Sequence, residues 1–274
     1  MVRGVRLPWG ERTYVMGIVN ITPDSFSGDG VVAPDDALNR ALAQVRRGSD
    51  IVDVGGESTR PGHERVAEAR EIERVVPAIR AVRERLPHAI VSVDTYKPAV
   101  ARAACEAGAD AINSVWGMPD PLLDVALEFG TPVVIMHNQE HAEYAGSMLD
   151  EVLAFLSEAA ERAVKRGLSH AHVILDPGVG FAKTPEQNVA VLHGLDRVVS
   201  LGFPTLLGAS RKSTIGKLTG REPHERTYGT AATTALAIAA GIDVVRVHDV
   251  AETRDVVAVS DAVVRDWRPE GWTR

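Results

Sequence analysis

The chain has one cysteine, Cys105, in 274 residues. A single thiol closes no intrachain disulfide and builds no cysteine metal site, and its alanine-rich helical surroundings suit a buried structural thiol. Aromatic residues make up only 5% of the chain. No stretch comes near the roughly 18 uninterrupted apolar residues of a membrane span. The opening "MVRGVRLPWG" lacks the apolar core of a secretory signal, which predicts a mature cytoplasmic protein. Positive charge is scarce: 30 Lys and Arg against 37 Asp and Glu give a net charge of −7. With no basic excess to displace counterions, general nucleic-acid binding is excluded, and an anionic ligand would need a local cluster of cations.

What is present is a hydrophobic content of 45%, enough for one large α/β domain or two small ones. Short β-rich runs alternate with longer helical patterns. The runs are "TYVMGIVN" (13–20), "DIVDVGG" (50–56), "AIVSVDT" (89–95), "DAINSV" (110–115), "PVVIMH" (132–137), "AHVILDP" (171–177), "PTLLGAS" (204–210) and "DVVRVHD" (243–249). Runs with so few polar breaks suit parallel strands covered on both faces. Gly48, Gly108, Gly130, Gly167, Gly202 and Gly241 stand where helices should stop. Eight such units predict a (β/α)8 TIM barrel, about residues 13–266 of one domain spanning 1–274. The rival, a doubly wound open sheet, lacks its G-x-G-x-x-G turn after the first run.

Every predicted strand ends in polar or ionisable residues: Asn20, the segment Gly55–Arg60, Asp94, Asn113, His137, Asp176, Ser210 to Lys212, and Arg246 with His248. Asp and Asn also favour turns and caps, but in a barrel these eight edges ring one mouth, where the active sites of this fold sit. Arg246 and His248 are two residues apart and share a face. An inward guanidinium requires an anion, either a neighbouring strand's carboxylate or a bound phosphate. Thr59 and Arg60 could add a hydroxyl and a second fork. "GASRKSTIGK" (208–217) is not a phosphate loop, because seven residues separate Gly208 from Gly216. Lys212 in that segment suits a single acceptor atom. Asp176 either merely opens a Pro-Gly turn or accepts two N–H bonds from a ring edge, with Phe181 nearby. Asn113 carries both donor and acceptor. With Asp94 and Lys212, these residues describe a pocket for a flat, nitrogen-rich heterocycle. "MHNQEH" offers no convincing zinc set. Asn20 is a different case, because magnesium can be held by one amide oxygen, substrate phosphates and water.

In order along residues 13–266, "NITPDSFS", "GGESTRPG", "SVDT", "IN", "VIMHN", "LDPGVGFAKT", "GASRKS", "RTYGTAAT" and "VRVHDV" resemble the dihydropteroate synthase family of folate biosynthesis. The stretches after the first two strands are the specific ones. The resemblance implies a transferase joining 6-hydroxymethyl-7,8-dihydropterin diphosphate to 4-aminobenzoate with release of pyrophosphate. It implies a magnesium ligand at Asn20 and a diphosphate site at Thr59, Arg60, Arg246 and His248. It implies a pterin pocket of Asp94, Asn113, Asp176 and Lys212, floored by Met136 and flanked by Phe181. Phe26, Pro61 and Ser213 are implied to surround the aminobenzoate, and Asn20, Asp24, Lys212, Arg246 and His248 to form the catalytic set. "SGDGVV" departs from the family's usual Asp-Gly-Gly stretch, and the segment after "MHN" is short. "GTAATTALAIAAG" could pack a homodimer, as in the family, or lie against the barrel. The alternatives are a pterin-dependent methyltransferase, which needs neither "TPDSF" nor "STRPG", and a pterin-binding paralogue that makes no product.

Overall fold

Each of the eight β-rich runs forms a strand in the computed structural model, which describes residues 7–21, 34–58, 65–269 and 271. The strands are β1 (Tyr14–Asn20), β2 (Ile51–Gly55), β3 (Ile90–Asp94), β4 (Ala111–Ser114), β5 (Val133–Met136), β6 (Val173–Asp176), β7 (Leu206–Leu207) and β8 (Val244–Val247). All pair in parallel, in the order β6-β5-β4-β3-β2-β1-β8-β7. An isolated parallel bridge between Leu175 and Thr205 joins β6 to β7 and closes the cylinder. Neighbours follow chain order around the sheet, so the barrel prevails over the doubly wound alternative. β7 keeps only Leu206 and Leu207 of its run.

Helices separate the strands: α1 (Pro34–Arg46), α2 (Glu68–Arg85), α3 (Pro98–Glu106), α4 (Asp120–Phe129), α5 (Met148–Lys165), α6 (Pro185–His193), α7 (Leu195–Val199), α8 (Ser213–Thr219), α9 (Thr227–Ala240) and α10 (Val250–Val264). Two helices each follow β6 and β7. The six glycines expected at helix ends all have positive φ, from 62° at Gly130 to 117° at Gly167. No described helix is long and apolar enough to cross a membrane.

Period-two alternation divides each strand between two environments. Val52, Val54, Val91, Val93, Val133, Ile135 and Leu175 belong to the large core between sheet and helices. Tyr14, Met16, Ile51, Ile90, Val134, Ile174, Leu206 and Val244 form a separate cluster in the barrel's lower interior. A cavity of about 110 Å³, lined by Trp9, Met16, Ile90, Val134 and Ile174 among others, opens at that lower end. Moving toward the strand C-termini, the inward face turns polar: Ile51 gives way to Asp53 and Gly55, Ile90 to Ser92 and Asp94, Val244 to Arg246 and His248. The fold thus delivers its polar side chains to one mouth.

Candidate active site

Strand register sets the first row of the mouth. Asn20 pairs with Gly55, Gly55 with Asp94, and Asp94 with Asn113. Gly55 has no side chain to separate its neighbours. A Cβ there would meet the Asp94 Cβ at 3.5 Å and Asn20 Oδ1 at 3.6 Å. The Asn20 amide oxygen and the Asp94 carboxylate therefore lean over the same gap.

Beneath that row lies an ion cluster. Arg246 donates from Nε to Asp53 Oδ2 and from Nη2 to Asp94 Oδ2, both at 2.6 Å. Asn113 Nδ2 donates to Asp53 Oδ2 at 3.0 Å. Of the two anions that sequence allowed for Arg246, the carboxylate is the one in place; Nη1 stands outside both ion pairs. Asp53 is a member of the site that sequence reasoning passed over. Its signal was an acid inside an apolar strand, two residues from a mouth glycine and therefore on the same face. Asp53 Oδ1 and Asp94 Oδ1 are buried without a hydrogen-bond partner among the described residues. Buried lone pairs are normally satisfied, so these two oxygens stand ready to accept hydrogen bonds that no described residue supplies. Burial pushes the Asp94 carboxyl up to about 7, Arg246 opposing and Asp53 reinforcing the shift.

Across the mouth, Met136 pairs with Asp176. Met136 is 3% exposed and Asp176 5%, so an apolar floor adjoins a carboxylate. Asp176 Oδ1 accepts from Gly178 N–H at 2.8 Å. The turn reading of Asp176 is thus correct for one oxygen, and the other remains. Burial raises its pKa, against the pull of Lys212. Lys212 donates to Val179 O and places Nζ 4.3 Å from the Phe181 ring centroid. Burial pulls this ammonium down to about 7, with Asp176 opposing. Asp176, Lys212 and Phe181 form one flank, facing Asp94 and Asn113 on the other.

His248 lies 3.0 Å from Ser210 Oγ through Nδ1, and its backbone N–H donates to the same hydroxyl at 3.2 Å. Ser210 thereby fixes the imidazole, a positioning role the sequence did not reveal. Ser213 is exposed at the first turn of α8, next to Lys212. His137, expected on the mouth edge, turns instead toward Lys183, 3.0 Å away. Burial, aided by Lys183, lowers its pKa to about 4. Asp24, Phe26, Thr59, Arg60 and Pro61 lie outside the described residues. The roots of the second loop are anchored, however. Lys97 Nζ donates to Glu57 and Glu71 at 2.5 Å each and to Val66 O at 2.6 Å, while Val66 N–H donates to Glu57 at 2.9 Å.

Buried carboxylates with open oxygens, an amide and two cations converge at the C-terminal mouth of a (β/α)8 barrel. That combination defines a barrel enzyme with a site for a polar, planar ligand. The chain belongs to the pterin binding enzyme family, which it matches over residues 16–248. It is 45% identical to the dihydropteroate synthase of Clostridium beijerinckii over 93% of this chain and 96% of that one. Among solved structures it resembles a Clostridium difficile dihydropteroate synthase determined in the presence of pteroic acid, with a TM-score of 0.92 and 43% identity, covering 95% of this chain and all of that one. It also resembles a Xanthomonas albilineans dihydropteroate synthase with 4-aminobenzoic acid, with a TM-score of 0.88 and 42% identity over 93% of this chain and 94% of that one.

Proposed function

We propose that the chain is a transferase that condenses 6-hydroxymethyl-7,8-dihydropterin diphosphate with 4-aminobenzoate, giving 7,8-dihydropteroate and pyrophosphate. The observation that carries this reading is the pair of carboxylate-bearing flanks at the mouth: Asp94 with an open buried oxygen beside Asn113, and Asp176 beside Lys212 and Phe181. Nearly half-identical dihydropteroate synthases that align along almost their whole length support it. A pteroate and an aminobenzoate complex among its structural relatives support the same substrates.

In this reading, Asp176 accepts N–H groups of the aminopyrimidinone edge, Asp94 and Asn113 read the opposite side, and Lys212 donates to a ring acceptor. Met136 and Phe181 enclose the ring faces. Arg246, held by Asp53 and Asp94, directs positive charge toward the leaving diphosphate, together with His248, Thr59 and Arg60. Asn20 offers a hard amide oxygen beside the Asp94 carboxylate, a donor that fits magnesium. When bound, the ion supplies charge neutralisation to the departing diphosphate. The C–O bond at the pterin methylene breaks, the pair leaves with pyrophosphate, and the arylamine nitrogen forms the new C–N bond before losing its proton. Phe26, Pro61 and Ser213 enclose the arylamine, and Asp24 completes the catalytic set. No strong base is required, because the developing cation is stabilised electrostatically and the partners are held in place.

A homodimer fits the exposed apolar residues on the outer helices: Tyr228 and Leu236 on α9, and Val259 and Val263 on α10, are between 66% and 90% exposed. Sedimentation tests this: a monomer at micromolar concentration refutes it. A cytoplasmic location fits a chain whose one thiol is buried and unpaired. For the reaction, the protein is incubated with pterin diphosphate, 4-aminobenzoate and magnesium. Equal amounts of pyrophosphate and dihydropteroate are expected, with loss of turnover in excess chelator. Pterin binding without either product would refute the assignment.

A further inference from the structure

The turn between β6 and α6 is tightly wound. Gly178, Gly180 and Ala182 have φ values of 71°, 82° and 41°. At Gly178 a Cβ would stand 1.9 Å from the His137 carbonyl oxygen, so the turn runs directly against the end of β5. Ala182 carries a side chain in the left-handed region, a conformation that persists only where the surroundings enforce it.

The enforcing contacts are visible one by one. Lys183 Nζ donates to Gly178 O at 3.1 Å and to Phe181 O at 3.2 Å, and lies 3.0 Å from His137 Nδ1. Tyr144 donates to Ala182 O at 3.0 Å. Asn188, buried at the first turns of α6, accepts from Gly180 N–H at 2.6 Å and donates to Lys183 O at 3.3 Å. A reciprocal capping box between Thr184 and Gln187 then starts α6. Among the described residues, Lys183 alone grips two carbonyls of this turn. Lys97 sits between two carboxylates, whereas the acceptors of Lys183 are all neutral. An ammonium taken out of water without a counter-ion in contact is unfavourable, and burial pulls this one down to about 8, with only the Asp176 charge opposing. Such an arrangement is retained for what it holds. What it holds is the backbone that carries Asp176 at one end and Phe181 at the other.

We propose that Lys183 is a positioning residue for pterin recognition: by gripping Gly178 O, Phe181 O and His137 Nδ1, it sets the turn that aims the Asp176 carboxylate and the Phe181 ring at the heterocycle. The inference rests on the pterin assignment of those two residues. The charged and titratable groups around Lys183 are His137 from β5, Asp176 from β6 and Lys212 from behind β7. The Tyr144 hydroxyl binds the same turn.

Lys183→Met keeps the aliphatic stem and removes the ammonium. It is expected to raise KM for the pterin diphosphate roughly 10- to 100-fold, the scale of a misplaced binding group, and to leave KM for 4-aminobenzoate nearly unchanged. An unchanged pterin KM, or an equal rise in both constants, overturns the proposal. Lys183→Arg keeps the charge and provides the second variant. Raising the pH across about 8 removes the Lys183 proton in the wild type, so pterin affinity should fall more steeply there than in Lys183→Arg. Lys212, pulled down to about 7, loses most of its charge before this range, and equal slopes would count against the idea. If the wild type releases no pyrophosphate, the reaction assignment fails by itself. Amide exchange across residues 178–182 then decides on Lys183, faster exchange in Lys183→Met supporting it and unchanged exchange overturning it.

Discussion

At the N-terminal end of the barrel, Asp50, Asp110 and Asp243 each stand one residue before a strand and accept a backbone N–H: from Val15 at 2.8 Å, Val91 at 2.9 Å and Thr205 at 2.9 Å. They are also bound by Arg12 and Arg254, by Arg83, and by Gly10 and the Thr205 hydroxyl, respectively. At the C-terminal end, Asp53 and Asp94 are buried, yet each has one oxygen with no partner among the described residues. Residue type is the same at both ends, and the pattern of hydrogen bonding tells them apart. A carboxylate that finishes its bonds inside the protein is a fastener for the strands. One that leaves a bond open is a receptor.

The sharpest test of this contrast is Arg246→Ala, which strips the shared counter-ion from two receptors. Destabilisation of roughly 3–5 kcal/mol is expected, the cost of leaving buried charge unpaired, along with loss of diphosphate affinity. Urea denaturation and pyrophosphate binding read the two effects, and unchanged stability would show that the cluster is not electrostatically coupled. Next comes Asp176→Asn. It presents an amide to ligand N–H groups and should weaken pterin binding by about 2–4 kcal/mol while the thermal midpoint barely moves. A midpoint that falls with normal binding would make Asp176 a fastener after all. Asp243→Ala should behave oppositely, losing about 1–3 kcal/mol of stability with both Michaelis constants preserved in the folded fraction.

A further test lies in pH dependence. The folded pKa of Asp94 is raised from 3.8 to about 7 by burial. The unfolded chain therefore gives up that proton first, and wild-type stability falls relative to Asp94→Asn as pH rises from about 4 to about 7. Above that window the difference is flat. Parallel stability curves for the two proteins would show that Asp94 titrates normally in the fold.

Much of this was readable in the sequence. The eight apolar runs and the helix-ending glycines identify the barrel because strand and helix periodicity are local properties. Asp94, Asn113, Asp176 and Lys212 were visible as polar residues closing apolar runs and describing a heterocycle pocket, and the motif resemblance identified that heterocycle as a pterin. Asp53 was hidden inside "DIVDVGG", where only the inward phase of the strand marks it. The counter-ions of Arg246 come from strands more than 150 residues away in sequence, and register across a closed sheet is not a local property. Lys183 acts on carbonyl oxygens, which carry no sequence signal at all. His137 shows the converse: it ends a strand, yet burial against Lys183 turns it from the mouth.

Elsewhere in the cylinder, adjoining strands share ladders of at least two residue pairs, but β6 and β7 meet through the single Leu175–Thr205 bridge. Asp176 and Lys212 stand on opposite banks of that seam. A heterocycle grasped by both spans the joint as a rivet spans two plates, so occupancy of the pocket and mechanical closure of the barrel become one event. The hoop is weakest where its cargo ties it shut, and an empty protein should begin to open between Asp176 and Lys212.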